Sequence, residues 1–185
     1  MNETMNVILS RRSHRAYEQT PITEEQLRML LDAALASPSA VNRQPWHFSV
    51  VTDQALLNDI NEEVRAQMMR KDAQSRSPRF ASDTFQVFYH APTVIFISGE
   101  KDFGWTDIDC GIAVQNIALA AESIGLGTVI LGLPKPAFEG DRAGEFCAKL
   151  KIPDTHRFAI AIAVGVPADT KDAHPIKEDR ISFIG

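Results

Sequence analysis

A long and almost wholly apolar helix is the feature that most limits how this chain can fold. We predict a helix from about Asp107 to Ile124, and beyond its acidic first turn only four residues interrupt an apolar or small surface. They are Gln115, Asn116, Glu122 and Ser123. A helix that is apolar nearly all round must be buried on most of its sides. A chain of 185 residues has a limited interior, so we expect a subunit interface to cover part of this helix.

The size and composition of the chain favour one globular domain. The sequence has no internal repeat, low-complexity tract or Ser/Gly linker, and a domain of this length can bury a sizeable core. We therefore expect residues 1–185 to form a single domain. Hydrophobic residues make up 44% and charged residues 23% of the chain, which excludes intrinsic disorder and a disulfide scaffold.

Charge, hydropathy and cysteine spacing exclude several kinds of partner. The 19 basic and 24 acidic residues give a net charge of 19 − 24 = −5, whereas nucleic-acid binding needs clustered positive charge. No apolar run approaches the roughly 20 residues that span a bilayer, and the N-terminus lacks the order of a signal peptide. Cys110 and Cys147 form no zinc-binding pattern. We expect a cytoplasmic protein with no metal, nucleic-acid or membrane partner.

Caps and apolar periodicity predict further helices. Thr23 can cap a helix in which Gln26 completes a capping box. Asp53 precedes a second amphipathic helix, and a shorter one leads to Leu150. The polar, basic stretch Arg70–Arg79 is predicted to be a mobile surface connection.

Four segments rich in β-branched or aromatic residues are predicted to be strands. The first alternates apolar and polar residues as a half-buried strand does, and the second is continuously apolar, which is typical of a central strand. In chain order they are Trp46–Val50, Thr93–Ser98, Thr128–Leu131 and Phe158–Val166. Helices alternate irregularly with these strands, so we expect an α+β fold.

A basic cluster near the N-terminus is the first candidate site. Arg11, Arg12 and Arg15 lie within five residues, beside the hydroxyl of Ser13. Guanidinium groups can hold a phosphate through bidentate, charge-assisted hydrogen bonds. A solvated basic turn after a short helix explains the same residues equally well. Nucleic-acid binding is a weaker interpretation, because no aromatic residues are interleaved for base stacking.

The loop between Pro38 and Pro45 is the second candidate site. Ser39, Asn42 and Gln44 offer donors and acceptors at fixed spacing within a loop that two prolines stiffen. Such amides suit the edge of a heterocycle that has both C=O and N–H groups. For Ser39 or Asn42 taken alone, a turn that bonds only its own backbone is the better interpretation.

The glycine-rich run from Gly125 to Gly132 is not a dinucleotide-binding loop. That fingerprint requires a strand, then glycines, then a helix, and here a helix comes first and a strand follows. Gly125 is better explained as a left-handed helix C-cap. A nicotinamide cofactor would therefore not be held by a Rossmann unit.

Taken together, these segments resemble the nitroreductase family of flavin-dependent oxidoreductases. The resemblance covers nearly the whole chain, and its second motif matches almost residue for residue. In chain order, the matching motifs are Arg11–Tyr17, Pro38–Phe48, Asp109–Ala121 with Gly125–Gly127, and Ile152-Pro153 with Ala163–Pro167 and a late Arg180.

The resemblance implies an α+β fold with a central, mostly antiparallel sheet flanked by helices. It further implies a homodimer with two interface sites for noncovalent FMN, and NADH or NADPH as co-substrate. By the family pattern, Arg11 and Arg180 would hold the FMN phosphate, with Ser13 assisting and Arg12 among the cofactor-binding residues. Arg15 would lie near the pyrimidine edge, where a positive charge stabilises reduced flavin and tunes its chemistry.

The remaining implied flavin contacts come from two other segments. Those from the partner subunit would be Pro38, Ser39, Ala40 and Asn42, with Gln44 close by. Ile130, Leu131 and Gly132 would pass along the flavin ring, with a backbone N–H near N5.

The function expected from this resemblance is that of an FMN-dependent NAD(P)H oxidoreductase with a ping-pong cycle. The acceptor would be a small molecule such as a nitroaromatic, a quinone or free flavin. No side chain need act as a nucleophile, because the flavin N5 carries the chemistry. The alternative is a non-catalytic flavin-binding sensor or reservoir. The chain ends five residues after Arg180, so we expect a short C-terminal arm.

Overall fold

Helices and strands alternate irregularly along the chain in a computed structural model that describes residues 2–70 and 77–185. The described helices are α1 (Glu3–Ser10), α2 (Glu24–Leu35), α3 (Gln54–Met69), α4 (Thr106–Ser123) and α5 (Ala143–Lys149). The strands are β1 (Trp46–Val51), β2 (Thr93–Glu100), β3 (Gly127–Leu131) and β4 (His156–Gly165). The predicted helices and strands are confirmed.

The four strands form one antiparallel sheet in the order β1-β2-β4-β3. The continuously apolar strand β2 pairs on both sides, with β1 and with β4, and it is buried except at its last residue. This confirms the predicted central strand and the α+β fold. In contrast, β3 is an edge strand that pairs along its length only with β4.

Apolar side chains cover both faces of the sheet. On one face, Phe96 and Phe158 pack with residues of α3 and α5. On the other face, Ile95 and Ile162 pack against α4 and α2. The sheet is therefore a buried central layer between two helical layers.

The predicted first strand is present, but its buried residues do not follow the alternation of the sequence. Ser49 is buried, whereas Phe48 and Val50 are only half-buried. Ser49 donates a 2.6 Å hydrogen bond from its hydroxyl to the carbonyl of Leu150. This bond satisfies a polar side chain inside the core, so a polar residue in the pattern did not mark a solvent-facing side.

Local signals set the ends of two helices as predicted. At the start of α2, Thr23 accepts a hydrogen bond from the Gln26 N–H, and the Gln26 side chain accepts one from the Thr23 N–H. These two bonds form the capping box. After α4, Gly125 has a φ of 77°, and the N–H of Leu126 donates to the carbonyl of Ala121. The left-handed C-cap is confirmed.

The predicted connection Arg70–Arg79 lies partly outside the described residues, at 71–76. At its near end, Arg70 closes α3. At its far end, Pro78–Ala81 forms a short 3-10 turn in which Phe80 is buried. None of the described helices is long and apolar enough to cross a membrane.

Candidate functional site

The basic segment Arg11–Arg15 lies against the free edge of β3. Ser13 forms an isolated parallel bridge with Thr128, and the N–H of His14 donates to the Thr128 carbonyl at 2.9 Å. A Cβ at Gly127 would lie 2.8 Å from the Pro167 Cβ and 3.0 Å from the His14 Cγ. The side chains of His14 and Pro167 therefore pack against the backbone of Gly127 where no further side chain fits, close in sequence to the residues 130–132 that were predicted to line the flavin ring.

A carboxylate after β4 fixes the same segment from its other side. The Asp169 Oδ1 lies 2.7 Å from the His14 Nδ1, and its Oδ2 accepts the Arg15 N–H at 3.1 Å. Burial raises the pKa of Asp169, but hydrogen bonds from His14, the Arg15 backbone and Lys171 outweigh it and hold that pKa below its ordinary value. The Tyr17 hydroxyl also donates to the His14 carbonyl, at 2.8 Å. The segment is thus held rigidly through its backbone.

The three arginines of the segment differ in what their side chains contact. The Arg12 Nη1 donates to the carbonyls of residues 9, 10 and 11, at 2.7 to 2.9 Å. Its Nε is buried and has no hydrogen-bond partner among the described residues. Arg11 and Arg15 donate to nearby carbonyls at 3.2 and 3.4 Å. Within the described residues, no carboxylate pairs with the Arg11 or Arg15 side chain.

The loop from Ser37 to Gln44 has an unusual backbone. Val41, Asn42 and Gln44 have φ angles of 49°, 54° and 49°, in the left-handed region that a β-branched valine rarely adopts. The loop is tied to itself, because the Gln44 N–H donates to the Ser39 hydroxyl at 2.8 Å and the Gln44 side chain donates to the Asn42 Oδ1 at 3.1 Å. Val41 is 89% exposed. Such a strained, exposed conformation is typical of a binding surface.

Two polar residues of α4 anchor this loop, and sequence analysis missed their role. The carboxylate of Asp109 accepts the Ala40 N–H at 3.1 and 3.3 Å, and Asp109 is only 2% exposed. The side-chain amide of Asn116 donates to the Ser37 hydroxyl at 2.8 Å. The signal was available, because an Asp and an Asn on an otherwise apolar helix need buried polar partners. Asp107 is exposed, and its carboxylate accepts a hydrogen bond from the Arg157 guanidinium at 2.9 Å instead.

The described chain divides the predicted site residues into separate groups. Arg11, Arg12, Ser13 and Arg15 adjoin the strand that contains Ile130 and Leu131 and leads to Gly132. Pro38, Ser39, Ala40, Asn42 and Gln44 form the loop anchored on α4. Arg180 belongs to neither group: its guanidinium lies 3.8 Å from Asp179, within an exposed C-terminal stretch at 170–185.

No cluster of three or more His, Cys, Asp or Glu side chains among the described residues could hold a metal ion. The chemistry of the donor set is instead that of an anion site. Arg11, Ser13 and Arg15 offer guanidinium and hydroxyl donors on one rigid segment, which suits a phosphate or another anionic group.

The chain is similar to known proteins over nearly its whole length. The model of the Nitroreductase family matches residues 8–166. A putative NADH dehydrogenase/NAD(P)H nitroreductase of Archaeoglobus fulgidus is 31% identical over 183 residues, covering 98% of this chain and 95% of the relative. An NADPH-flavin oxidoreductase of Vibrio harveyi is also 31% identical over 183 residues, and the match covers 95% of this chain and 70% of that relative.

A solved structure of similar fold contains a flavin. The crystal structure of a nitroreductase with bound FMN from Desulfitobacterium hafniense superposes with a TM-score of 0.93 at 33% identity, and all of both chains is covered.

Proposed function

This chain belongs to the nitroreductase family, and from that premise we propose that it is an FMN-dependent NAD(P)H oxidoreductase. The observation that supports this best is the pair of guanidinium groups, Arg11 and Arg15, that have no carboxylate partner among the described residues and lie on the segment fixed to β3. Cationic side chains without a carboxylate partner on a rigid backbone suit a phosphorylated, electron-rich ligand. The acceptor is a nitroaromatic, a quinone or free flavin, reduced in a ping-pong cycle.

The residues present fit FMN. The segment offers donors suited to one terminal phosphate, and the buried, unpaired Nε of Arg12 beside them is a further donor without a partner among the described residues. Gly125 follows α4 and Gly127 begins β3, so these glycines do not form the pyrophosphate-binding loop between a strand and a helix that FAD commonly requires. These features favour a mononucleotide over a dinucleotide.

We propose for the site residues the roles that the family pattern implies. Arg11 and Arg180 hold the phosphate with Ser13, and Arg15 lies at the pyrimidine edge. Arg12 supports the segment by capping α1, because its Nη1 is already bonded to three carbonyls. Ile130, Leu131 and Gly132 pass along the ring. The partner's loop supplies Pro38, Ser39, Ala40 and Asn42, with Gln44 close by.

A homodimer completes this site. Within one chain, hydrogen bonds of the described residues join the loop to α4 and not to the Arg11–Arg15 segment. Large apolar side chains are exposed beside the loop and α4 and in the C-terminal stretch, which supports a second copy as their cover. They include Val41, Trp105, Ile108, Ile181, Phe183 and Ile184.

When bound, FMN would supply the hydride-transfer chemistry between NAD(P)H and the acceptor. The residues of the chain bind the cofactor and orient it. The Arg15 guanidinium places positive charge at the pyrimidine edge, which favours the reduced, anionic state. The Asp169 carboxylate accepts a hydrogen bond from the Arg15 backbone N–H. This bond fixes the point of the backbone from which the Arg15 side chain extends.

The identity of the bound flavin tests this proposal. Purified protein, or protein reconstituted with a mixture of FMN and FAD, is heated, and the released pigment is identified by mass. We expect FMN at about one per chain, released without covalent modification of the protein. Recovery of FAD, or the absence of flavin uptake, contradicts the assignment.

A further inference from the structure

A cavity beside Arg15 has a lining that the proposed flavin contacts do not explain. It has a volume of about 390 Å³ and lies between the basic segment and the residues of and after the 3-10 turn Pro78–Ala81. The described residues that line it are all polar or aromatic, and they include Arg15, Arg79, Ser82, Thr84, Tyr89 and His90.

We propose that this cavity binds an anionic group of the substrate, a carboxylate or a phosphate, with Arg79 as the residue that determines this specificity. The inference rests on the proposed function, because it places the anion on a molecule that reacts at the neighbouring flavin. The anionic group belongs either to the acceptor or to the nucleotide donor, and the two sources are separated by the test below.

The charges around the cavity favour an anion. Arg15 and Arg79 both line it, and none of the other described residues in its lining carries a carboxylate. Asp83 lies nearby in sequence, but its Oδ1 is 3.2 Å from the Arg65 Nη2 and its side chain faces solvent. Neither Arg15 nor Arg79 has an ion-pair partner among the described residues. Two cations facing one concave space without a counter-charge attract an anionic ligand.

The Arg79 guanidinium is oriented by an aromatic ring. Its Cζ lies over the Phe80 ring at 4.9 Å from the centroid, and Phe80 is 2% exposed. The Phe80 ring is itself held edge-on by Phe85, at a centroid distance of 5.0 Å. A guanidinium stacked on a fixed ring keeps its planar N–H groups available for bidentate binding.

Neutral donors also line the cavity. The hydroxyls of Ser82 and Thr84 are 2.8 Å apart, and either can turn toward a ligand oxygen. Arg15, also in the lining, lies over the Tyr89 ring at 5.9 Å. Tyr89 and His90 both have a φ of 55°, and two successive left-handed residues that are not glycine are costly unless the surroundings fix them. Hydroxyls, a cation and an aromatic wall together suit an aromatic anion.

This cavity is separate from the site proposed for the FMN phosphate. That phosphate is assigned to Arg11, Ser13 and Arg180, none of which lines the cavity. Arg15 is shared, because it is assigned to the pyrimidine edge of the flavin. The cavity would therefore adjoin the pyrimidine edge of the flavin that is assigned to Arg15.

The test compares substrates that differ mainly in one anionic group. For the acceptor, 4-nitrobenzoate is compared with 4-nitrobenzamide, and for the donor, NADPH with NADH. In Arg79→Gln, the kcat/KM ratio of the more anionic member to its counterpart should fall about threefold to tenfold in one pair, the size of a charge-assisted contact reduced by solvent exposure. Arg79→Lys should retain part of that ratio. Lys151→Gln removes one exposed cation at a different cavity and should keep both ratios.

A binding measurement gives a readout independent of turnover. Equilibrium dialysis of 4-nitrobenzoate and of NADP⁺ against the oxidised holoprotein should show the matching threefold to tenfold weakening for one of them in Arg79→Gln. A fall in the kcat/KM ratio of 4-nitrobenzoate to 4-nitrobenzamide assigns the anion to the acceptor. A fall in the kcat/KM ratio of NADPH to NADH assigns it to the nucleotide phosphate. Unchanged ratios and unchanged dissociation constants in a variant with the wild-type circular dichroism spectrum overturn the inference. If the wild-type holoprotein reduces no acceptor, the proposed function fails, whereas the dialysis still decides the inference.

Discussion

Arg11 and Arg15 lie four residues apart on one rigid segment, yet their expected roles differ. Neither has a carboxylate partner among the described residues, and each donates to a neighbouring carbonyl. Arg11 follows α1 directly, whereas the Arg15 side chain reaches the cavity lined by Tyr89. We therefore expect one to act on cofactor affinity and the other on the chemistry of the bound cofactor.

Arg11→Ala should weaken FMN binding and leave the midpoint potential of the bound flavin nearly unchanged. The lost charge-assisted contact is worth about 1.5–3 kcal/mol, or roughly one to two powers of ten in affinity. Fluorescence titration of the apoprotein with FMN measures the dissociation constant. An affinity equal to that of the wild type would remove Arg11 from the phosphate site.

Arg15→Ala should lower the midpoint potential and slow reduction by the nicotinamide nucleotide. Positive charge at the pyrimidine edge favours the anionic reduced state over the neutral oxidised ring. Redox titration at saturating FMN separates this effect from lost binding. An unchanged potential argues that Arg15 has no electronic role, and the Arg11→Ala protein serves as the control for charge loss within the segment.

Asp109→Ala should destabilise the fold by about 1–3 kcal/mol, because it leaves the Ala40 N–H unpaired inside the protein. It should also weaken flavin binding, since the loop that is proposed to contact the partner's flavin loses its anchor. Asp109→Asn retains an acceptor oxygen and is the matched control. Chemical denaturation gives the free energy of unfolding, and equal values for Asp109→Ala and the wild type would show that the anchor is dispensable.

Among the elements, the contact between the basic segment and β3 is the one on which the site depends. Gly127→Ala would place a Cβ 2.8 Å from the Pro167 Cβ and 3.0 Å from the His14 Cγ. Overpacking of this kind costs about 1–3 kcal/mol, and here it should also displace the Arg11–Arg15 segment and weaken FMN binding.

Gly144→Ala is the control for that substitution. Gly144 lies in α5 with nothing within 4 Å of an added Cβ, so alanine should stabilise the protein by about 0.5–1 kcal/mol. Thermal unfolding and FMN titration of both variants check the pair. If Gly127→Ala bound FMN as tightly as Gly144→Ala, the segment would not need its place on β3.

The sequence predicted elements better than it predicted their contacts. The capping box at Thr23 and the apolar run of β2 are local signals, so α2 and β2 could be located without the structure. The bridge between Ser13 and Thr128 joins residues far apart in the chain through backbone atoms, and no side-chain pattern encodes it. The buried face of β1 was missed because Ser49 is satisfied by the Leu150 carbonyl.

The family motifs singled out candidate site residues, but not how they are held. The roles of Asp109 and Asn116 depend on the distance between α4 and the loop, which only the fold fixes. The orientation of the Arg12 side chain also depends on the fold, because its Nη1 donates to three carbonyls at the end of α1. Residue type indicates what a side chain can bind, and the surrounding backbone decides whether that group is free to bind it.

At the scale of the whole molecule, the proposed homodimer requires that a second copy of the chain covers Val41. Val41→Asp should raise the dimer dissociation constant by at least about tenfold, because a carboxylate would be buried in an apolar interface. Asp tolerates the left-handed backbone better than Val does, so the loop itself should persist. Light scattering over a concentration series measures the shift, with Val41→Thr as the uncharged control of the same shape. A variant that stays dimeric as firmly as the wild type would place the interface elsewhere.

The proposed oxidoreductase cycles electrons through bound FMN. Anaerobic mixing of the flavin-loaded protein with NADH or NADPH, while the visible flavin absorbance is followed, tests this function. We expect bleaching within seconds and, after the nucleotide is used up, recovery of the colour when a nitroaromatic, a quinone or free flavin is added. A yellow protein that neither nucleotide bleaches, or whose colour no acceptor restores, would rule out this function and favour a flavin reservoir or sensor.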